Sequence, residues 1–329
     1  MNDWLPVVFT GLMGLSMLLY VVLDGYDLGV GMLLRQADDA QKDTMIASIG
    51  PFWDANETWL VLGVGLLLVA FPMAHGAILG ALYLPVTFML IGLILRGVAF
   101  DFRVKVHAQH KPMWNVAFYA GSLLAALSQG FMLGLYITGL KYNLIGVVFG
   151  MVIALCLVAG YMLLGAGWLI IKTEGELRAR AIAWAQRSLW FTGLGIVAVS
   201  LATPLVSPRI FEKWFSLPNL FFLMPIPLLT GLLFMACLRA LVKLGSGSTQ
   251  KEWVPFMSTI GMFVLAFGGL AFSIFPYLVI DQITLWEAAS ARGSLKIMLF
   301  GAAVTLPVII CYNIYSYRVF WGKSSELNY

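Results

Sequence analysis

Two pairs of acidic side chains in apolar surroundings are the residues of this chain best suited to chemistry. Asp54 and Glu57 lie in the segment Pro-Phe-Trp-Asp-Ala-Asn-Glu-Thr-Trp, residues 51–59, where a long apolar run begins. Asp24 and Asp27 have the same spacing inside the apolar run before it. Residues three apart are neighbours on a helix surface, and charges at membrane depth are costly and usually mark an ion or proton path. The pattern therefore predicts proton chemistry.

A second group of polar residues accompanies these acids. Asn56 lies between the two acids of the later pair, and Arg96, Asp101 and Arg103 lie near the end of the third apolar run. We expect the three charged residues to set the local potential and to hold helices together. A purely structural role, in which the arginines neutralise interfacial acids, stays open for these residues and for the two acidic pairs, above all for Asp27 and Asp101.

The composition predicts an all-α, polytopic membrane protein. The chain has 329 residues, of which 61% are hydrophobic and 11% charged, whereas soluble domains have about 25% charged residues. A bilayer span needs about 20 largely apolar residues. The runs are too long for barrel strands, and their residues do not alternate in polarity. Nine spans are predicted within one domain, residues 1–329: 7–34, 52–73, 76–100, 114–137, 144–171, 184–206, 219–242, 253–276 and 294–321.

The basic residues predict the orientation of these spans. The net charge is +4, but the basic side chains form no run, so no nucleic-acid partner is expected. Positively charged loops stay in the cytoplasm. Most of the 20 Lys and Arg side chains lie at the odd-numbered connections and the C-terminal end, which places the N-terminus outside and the C-terminus in the cytoplasm. The other side has five: Lys141, Arg209, Lys213, Arg292 and Lys296.

Other residue types give weaker signals. No span contains two histidines at mid-membrane, so neither a metal nor a haem is expected in this chain. The cysteines lack metal-ligand spacing and are typical of buried small apolar residues. Glycines at 25, 29 and 31 are expected to permit close helix contact.

Three motifs together resemble a known family. Residues 24–31 read Asp-Gly-Tyr-Asp-Leu-Gly-Val-Gly, residues 53–57 read Trp-Asp-Ala-Asn-Glu, and residues 96–103 read Arg-Gly-Val-Ala-Phe-Asp-Phe-Arg. In order and spacing, and in the nine-span layout, they are similar to the smaller core subunit, subunit II, of bd-type quinol oxidases, which include cytochrome bd and the cyanide-insensitive terminal oxidases. Ala55 stands where that family commonly has glycine, a change that leaves Asp54 in place.

The resemblance implies a fold of two four-helix bundles plus a peripheral helix in the bacterial cytoplasmic (inner) membrane. It also implies a terminal oxidase that oxidises a membrane quinol and reduces oxygen to water. The b-type and d-type haems would belong to the larger partner, subunit I, so this chain would be a non-haem subunit that is not catalytic alone. A structural quinone and small accessory subunits occur in some relatives.

The resulting hypothesis is a scaffold and a proton conduit from the cytoplasm to the oxygen-reducing site. The resemblance assigns the principal carrier to Asp54; Asn56 and Glu57 would be its neighbours, and Asp24 and Asp27 supporting acids. Two alternatives stay open at this point. The chain could be a purely structural partner of subunit I, or it could be a proton-coupled secondary transporter, although its acidic motifs have no counterpart in the second half.

Overall fold

The computed structural model describes residues 4–206 and 208–324, and almost all of these residues are in α-helices. The domain predicted over residues 1–329 therefore includes a few residues at each end, and one between helices, that lie outside the described part. In chain order the elements are α1 (Leu5–Leu33), α2 (Asp39–Ile49), α3 (Trp53–Ala70), α4 (Pro72–Lys105), α5 (Lys111–Ile137), α6 (Leu144–Lys172), α7 (Gly175–Val206), α8 (Pro208–Phe215), α9 (Asn219–Leu223), α10 (Pro225–Gly245), α11 (Val254–Ile274), β1 (Tyr277–Val279), β2 (Ile283–Thr284), α12 (Leu285–Ala288) and α13 (Arg292–Val319).

The predicted all-α membrane fold is confirmed. Within the described residues, eight helical segments are long and apolar enough to cross a membrane, and the ninth span is obtained if α2 and α3 are counted together. These two helices meet at a bend of 51°, beside Gly50 and Pro51. The predicted second span, 52–73, is thus the shorter helix α3, whose first turn is polar.

The long helices form two bundles joined side by side. In the first, α1 packs against α3 and α5, and α4 packs against α5; in the second, α6 packs against α7 and α11, and α10 packs against α7 and α11. Contacts of α6 with α1 and α5 join the bundles. Helix α13 is peripheral, since only Leu295 and Ser316 are buried along it.

Short elements between the spans were not predicted. Asp38 caps α2 by accepting a hydrogen bond from the Gln41 backbone N–H at 2.9 Å. On the far side of the bundles, α8 is fastened to α11, because Lys213 Nζ donates to the Phe272 carbonyl at 2.6 Å. Asp281 forms an ion pair with Arg209 at 2.5 Å. These contacts fold the longer connections against the bundle ends.

Glycines bring α1 and α6 into backbone contact. A Cβ atom on Gly29 would overlap the Tyr161 carbonyl oxygen, and one on Gly165 would lie 2.4 Å from the Val30 nitrogen, closer than Cβ atoms approach other atoms. The expected close helix contact at Gly25, Gly29 and Gly31 is therefore present. It fixes the depth at which the acids of α1 meet their neighbours.

Replacing Gly29 by alanine is expected to lower the yield of assembled protein sharply, because the added methyl group must push two helix backbones apart. Overpacking of a tight core typically costs about 1–3 kcal/mol. Gly11→Ala is the matched control on the same helix, since nothing lies within 4 Å of its Cβ position. Membrane yield and thermal stability measure the effect, and equal values for the two variants would contradict it.

Candidate functional site

The guanidinium of Arg96 is the centre of a buried ionic cluster formed by three helices. Arg96 Nη1 donates to Asp24 Oδ1 at 2.6 Å, and Arg96 Nη2 donates to Glu57 Oε2 at 3.2 Å. The side chains of Arg96 and Asp24 are 1% and 0% exposed, whereas that of Glu57 is 25% exposed. The cluster is thus closed to solvent at α1 and α4 and opens at α3.

Asn56, a buried residue in the first turn of α3, is the centre of a second group of hydrogen bonds. Its Nδ2 donates to Asp27 Oδ2 at 2.9 Å and to the Tyr26 hydroxyl at 2.8 Å. The Tyr317 hydroxyl donates to Asn56 Oδ1 at 3.3 Å and lies 2.7 Å from the Tyr26 hydroxyl. This amide therefore connects α1, α3 and the peripheral helix α13.

Asp27 differs from Asp24 in its surroundings. Both side chains are fully buried, and each has one oxygen, Asp24 Oδ2 and Asp27 Oδ1, with no hydrogen-bond partner in the described part of the chain. The ion pairs of Arg96 go to Asp24 and Glu57, and the hydrogen bond that Asp27 accepts comes from an uncharged amide. Asp27 thus has a donor but no cation in contact.

Three polar residues that the motifs did not identify extend the cluster toward α5 and α6. The Tyr161 hydroxyl donates to Gln129 Oε1 at 2.7 Å, and Gln129 Nε2 donates to the Tyr20 hydroxyl at 2.6 Å. Tyr20 lies on α1 one helical turn before Asp24. An amide in mid-span was the signal for Gln129, but the sequence alone did not show which tyrosines it meets.

The remaining predicted site residues lie outside this cluster. Asp54 and Asp101 are exposed on the surface of the chain. Arg103 is buried, but its partners are the Asn115 side chain at 2.5 Å and Asp43 at 2.6 Å. The structure therefore brings together Asp24, Asp27, Asn56, Glu57 and Arg96, and it does not bring Asp54, Asp101 or Arg103 into contact with them.

The composition of the cluster suits proton binding. Two of the three carboxyl groups contact the one guanidinium, and burying a charge without a partner is strongly unfavourable. Such a site can exchange a proton with solvent through Glu57, its partly exposed member. Carboxylate oxygens and a guanidinium are not haem ligands. Among the described residues, no group of three or more His, Cys, Asp or Glu side chains is arranged to hold a metal ion.

A cleft of about 350 Å³ lies beside the cluster, between α1, α3 and α13. Leu19, Trp59 and Tyr317 are among the residues that line it. Because Tyr317 also contacts Asn56, the cleft ends against the same hydrogen-bonded group. The peripheral helix thus closes one side of the candidate site.

Comparisons with known proteins agree with one another. The family model for cytochrome bd terminal oxidase subunit II matches residues 5–320. The chain is 28% identical over 333 residues to cytochrome bd ubiquinol oxidase subunit 2 of Bacillus subtilis, covering 93% of each chain. It is also 28% identical over 364 residues to cytochrome bd-I ubiquinol oxidase subunit 2 of Escherichia coli K12, covering 96% of this chain and 94% of that protein.

A solved structure is similar in fold along nearly the whole chain. It is a chain of the bd oxidase from Geobacillus thermodenitrificans, with a TM-score of 0.78 and 16% sequence identity. The match covers 98% of this chain and 100% of that chain. At this identity the likeness concerns the arrangement of the helices.

Proposed function

The chain belongs to the family of cytochrome bd terminal oxidase subunit II, and from that membership we propose that it carries protons from the cytoplasm toward the oxygen-reducing site of a quinol oxidase. It would act as scaffold and conduit for a haem-bearing subunit I. Quinol and oxygen would be handled by the complex as a whole. Family membership sets aside the alternative of a secondary transporter.

The observation that carries the proposal is the buried cluster around Arg96. Of its three carboxyl groups, those of Asp24 and Glu57 contact the one cation, that of Asp27 does not, and Glu57 is the member that reaches the surface. A protein that needed only to join helices would gain little from such a group, since a buried ion pair is weak support for stability. A site that takes up and releases protons requires this excess of acid.

Asp54 would connect the cluster region to the partner subunit. It lies on the exposed face of α3 together with Thr58, Val61 and Leu68. A carboxylate facing lipid is costly, so we infer that this face of α3 contacts protein in the complex. Asp54 would then lie at the junction of the two subunits, as the principal proton carrier that the family resemblance implies.

The haems would belong to subunit I. In this chain His75 lies in the first turn of α4, and His107 and His110 are exposed near the start of α5. These positions at opposite ends of the bundle do not suit a pair of axial ligands for one haem. This chain would contribute the surface, the acids and the hydrogen bonds around the redox subunit, and its N-terminus would face the periplasm.

Replacing Asp54 by asparagine is expected to slow quinol-driven oxygen reduction by about tenfold while the haem content of the complex stays unchanged. A positioned proton-transfer group typically contributes 10²- to 10⁴-fold, and Glu57 would retain part of that effect as its neighbour on α3. Oxygen consumption by the purified complex and its haem absorbance measure the two quantities.

Asp39→Asn is the control for this variant. Asp39 is an exposed acid near the same end of the bundle, and its partner is Lys42. Wild-type turnover is expected for it. If Asp54→Asn also turned over at the wild-type rate, the chain would be a structural partner of subunit I and not a conduit.

A further inference from the structure

We propose that Asp27 carries the exchangeable proton of the buried cluster, and that Asp24 is a fixed anion held beside Arg96 by the chain of Tyr20, Gln129 and Tyr161. This assignment rests on the proposed conduit and divides its two buried aspartates by role. It makes Gln129, on α5, a positioning residue. The contacts of the two carboxyl groups carry the inference.

The hydrogen bonds of the Tyr–Gln chain have one direction. Tyr161 donates to Gln129 Oε1, and Gln129 Nε2 donates to the Tyr20 oxygen. The Tyr20 hydroxyl has accepted that bond, so its own proton is free to be donated to Asp24, which lies one helical turn further along α1 and whose Oδ2 has no other partner in the described part of the chain. Every donor therefore points toward Asp24, which also accepts the 2.6 Å bond from Arg96. Donors that converge on a carboxylate stabilise its charged form.

The same chain is unsuited to conduction. A side-chain amide donates through nitrogen and accepts through oxygen, so passing a proton through Gln129 would require an unfavourable tautomer. Beyond it the chain ends at Tyr161, whose ring packs on Gly25 of α1. The branch holds Asp24 in place and offers its proton no onward acceptor.

Asp27 lacks the cation that Asp24 contacts. It is fully buried, accepts one hydrogen bond from the Asn56 amide, and keeps Oδ1 without a partner. A charged Asp27 would be a third anion near Asp24 and Glu57, which already share the one guanidinium. A proton bound at Oδ1 removes that charge; the O–H bond forms by uptake from water and breaks on release to water, and no other bond changes.

Infrared spectroscopy of the intact complex tests the assignment through the C=O stretch of a protonated carboxyl group. The wild-type complex should show a buried carboxyl band that shifts to lower wavenumber with ¹³C-labelled aspartate and not with labelled glutamate. The band should be lost in Asp27→Asn and kept in Glu57→Gln. A band that follows the glutamate label, or survives Asp27→Asn, would overturn the proposal without dependence on any variant's turnover.

Gln129→Leu tests the positioning chain. Without its donor to Tyr20, Asp24 should gain a proton in part of the molecules, so a second aspartate band should appear and should vanish in Gln129→Leu combined with Asp24→Asn. Gln129→Asn keeps both an amide donor and an acceptor and serves as the conservative comparison. If Gln129→Leu adds no band, Gln129 does not position Asp24.

Turnover and the infrared band distinguish a failure of the proton conduit from a failure of the roles assigned to Asp27 and Asp24. If the band belongs to Asp27 but Asp27→Asn reduces oxygen at the wild-type rate, the charge assignment stands and the conduit is contradicted. If turnover falls severalfold in Asp27→Asn but the band belongs to another residue, the conduit stands and the division of roles is contradicted.

Discussion

Arg96→Gln is expected to remove most of the assembled complex from the membrane. The change leaves Asp24 and Glu57 without the cation that both contact, and Asp24 is fully buried. Breaking a buried ion pair by removing one partner typically costs about 3–5 kcal/mol, a large fraction of the stability of a folded domain. Haem absorbance of solubilised membranes, normalised to expression of this chain, measures the loss.

A second arginine of α4 provides the matched control. Arg103 is also buried, but its partners are the neutral Asn115 and Asp43, whose side chain is 38% exposed. Arg103→Gln should therefore cost less than Arg96→Gln. The double variant Arg96→Gln with Asp24→Asn should recover part of the complex, because the stranded carboxylate is gone. Equal loss in all three variants would show that ion pairing is not the cause.

The sequence predicted the composition of this site better than its geometry. Charged residues inside apolar runs avoid lipid, so they were expected in the protein interior or against a partner subunit. In the structure Arg96 contacts both Asp24 and Glu57. The predicted all-α membrane fold was also confirmed, since the length of an apolar run is set by bilayer thickness. Both inferences use properties that belong to single segments of the chain.

Properties that depend on the contact between segments were not predictable. Residues three apart on a helix differ by about 60° in direction, since a turn has 3.6 residues. That angle is enough to leave Asp54 exposed while Glu57 reaches Arg96 at the edge of the buried face. Sequence spacing showed that the two acids were neighbours, and only the rotation of α3 in the bundle decided which one turned inward.

The hydrogen-bonded chain beyond Asp24 shows the same limit. Tyr20, Gln129 and Tyr161 come from α1, α5 and α6, and their contact depends on the relative heights of these three helices. Those heights are fixed by glycine contacts such as that of Gly29 with α6. A single sequence does not show which residue of another helix each glycine contacts. Tyrosines in apolar runs are also common interface anchors, so their role in the interior had no distinct signal.

Asn56→Leu is expected to lower both the turnover and the thermal stability of the complex. Leucine is close to asparagine in size but can neither donate nor accept a hydrogen bond. Asp27 would therefore lose its one described hydrogen bond, and Tyr317 on α13 would lose its acceptor on α3. Leaving a buried polar group unsatisfied costs about 1–3 kcal/mol, and more for a charged group. We expect turnover to fall about tenfold, the equivalent of 1.4 kcal/mol, and the melting temperature of the complex to fall by several degrees.

Tyr317→Phe separates the two contributions in this variant. It removes the α13 hydroxyl but leaves the Asn56–Asp27 bond intact, and the ring can still stack on Phe52, whose centroid is 4.5 Å away. Its stability should therefore fall less than that of Asn56→Leu, and its turnover should remain near wild type. If Tyr317→Phe slowed turnover as much as Asn56→Leu, the attachment of α13 would control the rate. The bond from the amide to Asp27 would then have no separate effect.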